Sequence, residues 1–293
     1  MDRKKRILQH LKKDGFGLEI GASYNPVAPK REGYKVEIVD HLRREELVEK
    51  YRNQGIDTRT IEEVDYVWTG GSYAELIKKN KFYDWIIASH VIEHTTDLIG
   101  FLNDCNELLK DDGILSLVVP DYRYCFDCMR ARTSISEIID AHLYKPKRHT
   151  LGSVIDYHIN VMSKGNHICW LKGHNGKLKP LFSQQQIFEA IQQHQNSQDY
   201  IDVHAWCFTP HSFRLIIQDL YSLGFIKLKE FSFLPTSGFE FYVTLSRNGR
   251  GLSCDRLTVL EKIQWELAEI LEISKNAQNS TSNETSTDNF ACF

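Results

Sequence analysis

The chain reads as an α/β protein built on a doubly wound, mostly parallel sheet of seven strands, and three observations predict it. From residue 17 to 120, short apolar strands alternate with amphipathic helical stretches, the pattern of a parallel sheet covered on both faces. Leu18-Glu19-Ile20-Gly21-Ala22-Ser23 runs a strand into a glycine turn, and Val36-Glu37-Ile38-Val39-Asp40-His41 ends a second strand in an acid. An acid about 20 residues beyond such a turn lies where a nucleoside ribose sits in this fold class. Near the end, two strand-like runs lie close enough to pair as an antiparallel hairpin.

The elements follow in order. Five parallel strands are expected over Gly17–Ala22, Lys35–Asp40, Glu62–Trp68, Tyr83–Ser89 and Gly113–Pro120. Between them, Arg44–Tyr51, Tyr73–Lys79 and Asp97–Lys110 carry helical periodicity, the last with Leu98, Phe101, Leu102, Cys105, Leu108 and Leu109 on one stripe. Residues 121–205 abandon the alternation and are rich in His, Gln, Lys and Asn; they are read as a substrate-side insertion before the last helix and hairpin. Thr209-Pro210 opens a helix that Gly224 closes. Phe225–Phe233 and Phe239–Arg247 then form the C-terminal hairpin. Residues 1–250 make up the main domain. A helix over 251–275 carries Leu257, Leu260, Leu267 and Leu271 at near-heptad spacing, so it docks on the domain or on a second subunit as a homo-oligomer contact. Residues 276–293 are too polar to order themselves and are expected to form a disordered tail.

At 293 residues the chain can bury a sizeable core, and its 42% hydrophobic and 26% charged contents are ordinary for a soluble protein. A net charge of -3 offers no broad basic field, so nucleic acid is not an expected partner. No apolar run approaches the length of a membrane span, and the basic Met1–Arg6 stretch leads into no signal-peptide core, so a cytoplasmic location is expected. Seven cysteines, an odd number spread over a long chain, fit reduced thiols better than a disulfide framework. Cys125 and Cys128 form a CxxC, but no second pair follows at zinc spacing. No metal is expected.

Four segments carry a resemblance: LEIGASYNP, VEIVDH, YDWIIASHVIEHTTD and LLKDDGILSLVVPD, with HAWCFTPHSF following later. Together they resemble class I S-adenosylmethionine-dependent methyltransferases, specifically the type 11 methyltransferase-like group often associated with bacterial glycan biosynthesis. The resemblance covers roughly residues 15–247, with a weak middle. It implies a Rossmann-like, doubly wound fold with S-adenosyl-L-methionine as cofactor at the topological switch of the sheet. In that pattern Glu19 and Gly21 belong to the first cofactor motif, and the amides of Ala22 and Ser23 face the cofactor's carboxylate end. Asp40 accepts both ribose hydroxyls, while His41 and Leu42 border the adenosine. Asp65, Val67 and Trp68 flank adenine, and Ser89 and His90 line the methionine side. The chain departs from the family's glycine-rich loop, since only Gly21 remains and Tyr24-Asn25-Pro26 follows.

Methyl transfer from a sulfonium is an in-line displacement, and an alcohol acceptor gains from a base, most often His. His94, directly after the fourth strand, and His158, paired with Asp156 if that segment is a strand, are the candidate bases. Eight of the twelve histidines fall between His142 and His211, where Lys147-Arg148-His149, Asp156-Tyr157-His158 and His204-Ala205-Trp206 set charges and aromatics suited to a polar or sugar acceptor. No HExxH or fixed ligand spacing appears among them. Adjacent prolines and a Pro-Cys pair are both absent, which sets aside methylation of nucleic-acid bases, and a missing GxGxxG disfavours a nicotinamide enzyme. The expected function is O-methylation of a hydroxyl on a surface-glycan sugar or sugar nucleotide. The alternative is a methyltransferase-like binding or assembly module without activity.

Overall fold

A computed structural model describes residues 1–279, with side chains described through residue 270. Helix α1 (Arg3–Ile7) precedes β1 (Phe16–Ile20), followed by β2 (Lys35–Asp40), α2 (Arg44–Asn53), β3 (Tyr66–Val67), α3 (Tyr73–Ile77), β4 (Tyr83–Ser89), α4 (Leu98–Leu108) and β5 (Leu109–Pro120). Residues 121–205 add α5 (Ile135–Tyr144), α6 (Leu151–Asn160), a two-stranded hairpin of β6 (Met162–Lys164) and β7 (Leu178–Pro180), and α7 (Gln184–Asn196). The chain then returns to the main sheet through α8 (Pro210–Ser222), β8 (Lys229–Ser237) and β9 (Glu240–Ser246), and continues into α9 (Arg256–Asn279).

The seven-stranded sheet has the order β3-β2-β1-β4-β5-β9-β8. Its first five strands are parallel, and β9 lies antiparallel between β5 and β8. The strand order reverses between β1 and β4, which opens a crevice beyond their carboxyl ends. The central strands read as near-continuous apolar runs because helices cover both faces: Trp85, Ile86, Ile87 and Ala88 of β4 are all buried. Gly17 lets β1 pass under the Trp85 ring, since a Cβ there would lie 2.2 Å from ring carbons.

Strand β3 is shorter than the seven residues the sequence suggests. The Glu62 carboxylate accepts from the amides of Lys30 (2.6 Å) and Arg31 (3.0 Å), and the Asp65 carboxylate accepts from Ile38 N (2.7 Å). The Asp65 side chain thus takes the Ile38 amide of β2 that a longer ladder would have used, while Glu62 turns to the segment before β2, and pairing with β2 begins only at Val39–Tyr66. Helix α8 begins as expected. Pro210 is its first residue, and Thr209 and Ser212 cap it reciprocally, with Thr209 N donating to Ser212 Oγ at 2.9 Å. Removing the cap with Thr209→Ala is expected to cost about 1 kcal/mol in urea denaturation, and an unchanged midpoint would show that the cap contributes nothing.

Helix α9 docks on α8 of its own chain. Val259 and Ile263 pack on Leu215, and His211 Nδ1 lies 2.6 Å from Glu266 Oε1. The leucine stripe therefore splits: Leu267 turns inward, whereas Leu257 and Leu260 face outward beside the exposed Trp265. The side chain of Leu271 and the tail from residue 280 lie outside the described residues. Cys105, Cys125, Cys128, Cys207 and Cys254 carry free thiols, while Cys169 is disulfide-bonded, a departure from the fully reduced set the sequence suggests. Cys125 and Cys128 fall in two different apolar clusters, one with Tyr122 and Cys207, the other with Tyr124 and Trp170. Burial pushes the Cys125 thiol well up and the Cys128 thiol to about 12, so both are inert packing groups.

Candidate active site

A cavity of about 190 Å³ opens at the carboxyl ends of β1, β4 and β5. The turn after β1 forms one wall, with Gly21 at φ 71 and Ser23 at φ 52. Gly21 has a second constraint, because a Cβ would meet Val91 Cγ2 at 2.7 Å. Glu19 lies beneath this turn, where its carboxylate accepts from the amides of Val27 (2.6 Å) and Ala28 (2.9 Å). Burial outweighs those two bonds and pushes its carboxyl up to about 7.

The opposite wall holds Ser89, His90, Phe126, His204, Phe239 and Glu240. His90 sits at φ 54 with Nε2 2.8 Å from Glu240 Oε2 and Nδ1 3.4 Å from Glu93 Oε1. Burial alone would depress the imidazole, but the two carboxylates prevail and hold it up at about 9. Arg3 completes the arrangement, donating Nη2 to Ser89 Oγ (2.8 Å) and Nε to Glu240 Oε1 (2.8 Å). Neither Arg3 nor Glu240 stood out in the sequence, one being part of a basic run and the other the first residue of a hairpin strand; their pairing spans 237 positions and leaves no local signal.

The remaining expected site residues divide. Asp40 is 3% exposed, and its carboxylate already accepts from Ser23 N (2.8 Å), His41 N (2.8 Å) and His41 Nδ1 (2.7 Å). The amide of Ser23, expected to face a ligand, is thus directed to Asp40, because the pairing of Ile20 with Val39 sets the turn opposite that residue. Trp68 stays near the same strand end, its N donating to Asp40 O at 2.8 Å and its ring stacked on Tyr73. Val67 pairs with Asp40, and Leu42 packs against Leu47, Tyr51 and Ile61. Asp65 points elsewhere, to Ile38 N and to Lys30 Nζ at 2.5 Å.

Of the two candidate bases, His94 lies beside the cavity wall and His158 does not line it. His158 is on helix α6, where Nδ1 lies 2.7 Å from Val154 O and the ring packs on Phe182. Asp156 turns to Arg130 (2.8 Å), since residues two apart on a helix face different directions. His94 has Nδ1 2.8 Å from Asp202 Oδ1, and its ring meets His204 edge-on at 4.6 Å. His204 in turn has Nδ1 2.5 Å from Asp127 Oδ2, and Asp127 is also held by Arg130 Nη1 at 2.9 Å.

Similar solved structures include a SAM-dependent methyltransferase from Aquifex aeolicus, at 13% identity over 83% of this chain and 88% of that one with a TM-score of 0.40. The PH0226 protein of Pyrococcus horikoshii OT3 is 12% identical over 82% and 86%, with a TM-score of 0.42. A SAM-dependent methyltransferase from Thermotoga maritima is 19% identical over 41% of this chain, which spans about half (51%) of that protein, with a TM-score of 0.27. No curated protein matches the chain. The assignment rests on a different finding, a family model described as a methyltransferase domain that matches residues 1–193 and so takes in every strand from β1 to β5 and the turn at Gly21. The chain belongs to this methyltransferase-domain family.

Proposed function

We propose that the protein is an S-adenosylmethionine-dependent methyltransferase acting on a hydroxyl of a bacterial surface-glycan sugar or its nucleotide-linked precursor. The observation that carries the reading is the cavity at the switch point of the sheet, bounded by the Gly21 turn on one side and by His90 and His204 on the other. The cofactor, when bound, supplies a methyl group on a sulfonium, so the protein's task is to hold and align. The residues fit that task. Glu19 offers a carboxyl beside the cavity for a cationic group, and the positive φ of Gly21 allows close backbone approach. Asp40 stands at the end of β2 for a ribose diol once His41 swings aside, since three of its roughly four acceptor sites are filled by its own chain. On the acceptor side, Phe126 and Phe239 offer flat apolar faces of the kind sugars stack on, and the histidines offer groups that weaken a hydroxyl's hold on its proton.

Calorimetry with S-adenosylmethionine, followed by methyl transfer to a panel of sugar nucleotides, tests the reading. Binding is expected, and Asp40→Ala should weaken it by about 1–3 kcal/mol through lost ribose hydrogen bonds. Affinity unchanged by that variant would place the ribose elsewhere. The filled state of Asp40 favours one second reading, an inactive methyltransferase-like binding or assembly module. Folded wild-type protein that binds neither S-adenosylmethionine nor its demethylated product would support that module and end the enzymatic reading.

A further inference from the structure

The β6–β7 hairpin carries positive charge that its own segment does not balance. Between Asp156 and Glu189 the chain has four lysines, Lys164, Lys172, Lys177 and Lys179, and no acid. Lys172 pairs with Glu269, while Lys177 and Lys179, on either side of Leu178, are exposed. Lys164 is different. It is 5% exposed, its ammonium lies over the Trp170 ring at 5.7 Å from the ring centre, and among the described residues no acceptor hydrogen-bonds to it. Burial pulls this ammonium below the ordinary lysine value, and its counterweight is the Cys128 thiol rather than a carboxylate. A ring face offsets part of the cost of a buried cation, and the missing anion leaves the rest. Trp170 repeats the pattern, being 4% exposed with Nε1 a buried donor that has no partner among the described residues.

The fold brings the two donors together. Lys164 ends β6 on the face it shares with Met162, since side chains two apart on a strand point the same way, and Met162 packs in one apolar cluster with Trp170, Tyr124 and Cys128. The Trp170 amide donates to Tyr124 O at 2.9 Å, which fixes the ring against that cluster. Its neighbours belong to the cavity wall: Cys169 precedes Trp170 in the chain, and Phe239 packs in the same cluster. We propose that Lys164 and Trp170 form an oxyanion site of the phosphate class beside this wall, the ammonium supplying charge and the indole N–H a directed donor. The ammonium lies over the ring face and the N–H leaves from the ring edge, so an anion at that edge meets both; a single oxygen bridges donors up to roughly 6 Å apart. The exposed Lys177 and Lys179 draw anions toward the hairpin. The role of the site rests on the glycan-methylation reading above: the phosphate of a nucleotide-linked acceptor held at Lys164 sets its sugar toward the cavity.

Full-length protein labelled with nitrogen-15 and titrated separately with inorganic phosphate and with uridine diphosphate tests the site through the Trp170 indole resonance, which is identified by its loss in Trp170→Phe. A saturable displacement of that resonance is expected with both probes, and Lys164→Met, which keeps the apolar stem and removes the charge, should weaken both about 10-fold or more. If Lys164→Met does not fold, Lys164→Gln carries the same comparison. Folded wild-type protein whose Trp170 resonance follows neither probe overturns the site, as does unchanged affinity in the lysine variant. Uridine diphosphate binding more tightly than inorganic phosphate supports the acceptor's phosphate as occupant, whereas equal or weaker binding makes the occupant free phosphate and overturns the role given to the site. Methyl transfer to a sugar nucleotide separates the two readings. Transfer without any response of Trp170 to the probes ends the oxyanion site and leaves the methyltransferase reading standing, whereas a response that Lys164→Met abolishes, in a protein that methylates no sugar nucleotide, keeps the site and ends the glycan reading.

Discussion

Asp127→Ala is expected to cost about 3–5 kcal/mol of folding stability, because it removes the common acceptor of two buried cations or donors. Asp127 is 1% exposed and accepts from His204 Nδ1 and from Arg130 Nη1, and Arg130 is itself 7% exposed. Burial would raise the Asp127 carboxyl, but His204 and Arg130 together hold it below the usual carboxylate range, so it is ionised and tightly bonded. Without it, His204 loses the bond that orients its ring, while Arg130 keeps Asp156 and the carbonyl of His204. Asp127→Asn should cost less, since an amide oxygen can serve one of the two donors. Chemical denaturation of the two variants measures both losses. A loss below about 1 kcal/mol for Asp127→Ala would mean that the network adds nothing to the fold.

The same residues show where a sequence stops being legible. Strands β1, β2, β4 and β5 announce themselves because each is a short apolar run bounded by turn residues, and a parallel sheet buried on both faces demands that pattern. The cap at Thr209 and the stop at Gly224 are local chemistry and equally readable. Glu19, Gly21 and Asp40 could be picked out because strand endings fix where they lie. What each bonds to could not, since Asp40 meets the amide of Ser23 only through the register between β1 and β2. Residues 121–205 hid the most. Asp127 and His204 are 77 positions apart, and only the lacing of residues 200–206 along residues 93–95 brings them to the end of β4. His158 misleads for a related reason: it shares a face with Asp156 only if the segment is a strand, whereas Thr150 caps a helix whose Ser153 amide it accepts at 3.1 Å.

Glu19 sets the second large expectation, a stability that falls as pH rises through neutrality. Its carboxyl titrates near 7 in the fold against an ordinary value of 4.5, so the folded chain holds a proton that the unfolded chain has already lost between those pH values. The stabilisation is complete below pH 4.5 and is lost by the time pH has passed 7. The loss amounts to about 3 kcal/mol. Other groups titrate in overlapping ranges, His90 among them at about 9, so the comparison to make is wild type against Glu19→Gln at each pH, in which their contributions cancel. The variant loses one amide acceptor at every pH, and its deficit should shrink by up to about 3 kcal/mol between pH 5 and 8. A deficit independent of pH would place the Glu19 carboxyl near its ordinary value. The same carboxyl links stability to ligand binding: a cationic cofactor beside it favours the ionised form, so binding at pH 6 should release a proton to the buffer, read by calorimetry in buffers of different ionisation enthalpy. Binding without proton release would put the positive charge of the cofactor away from β1.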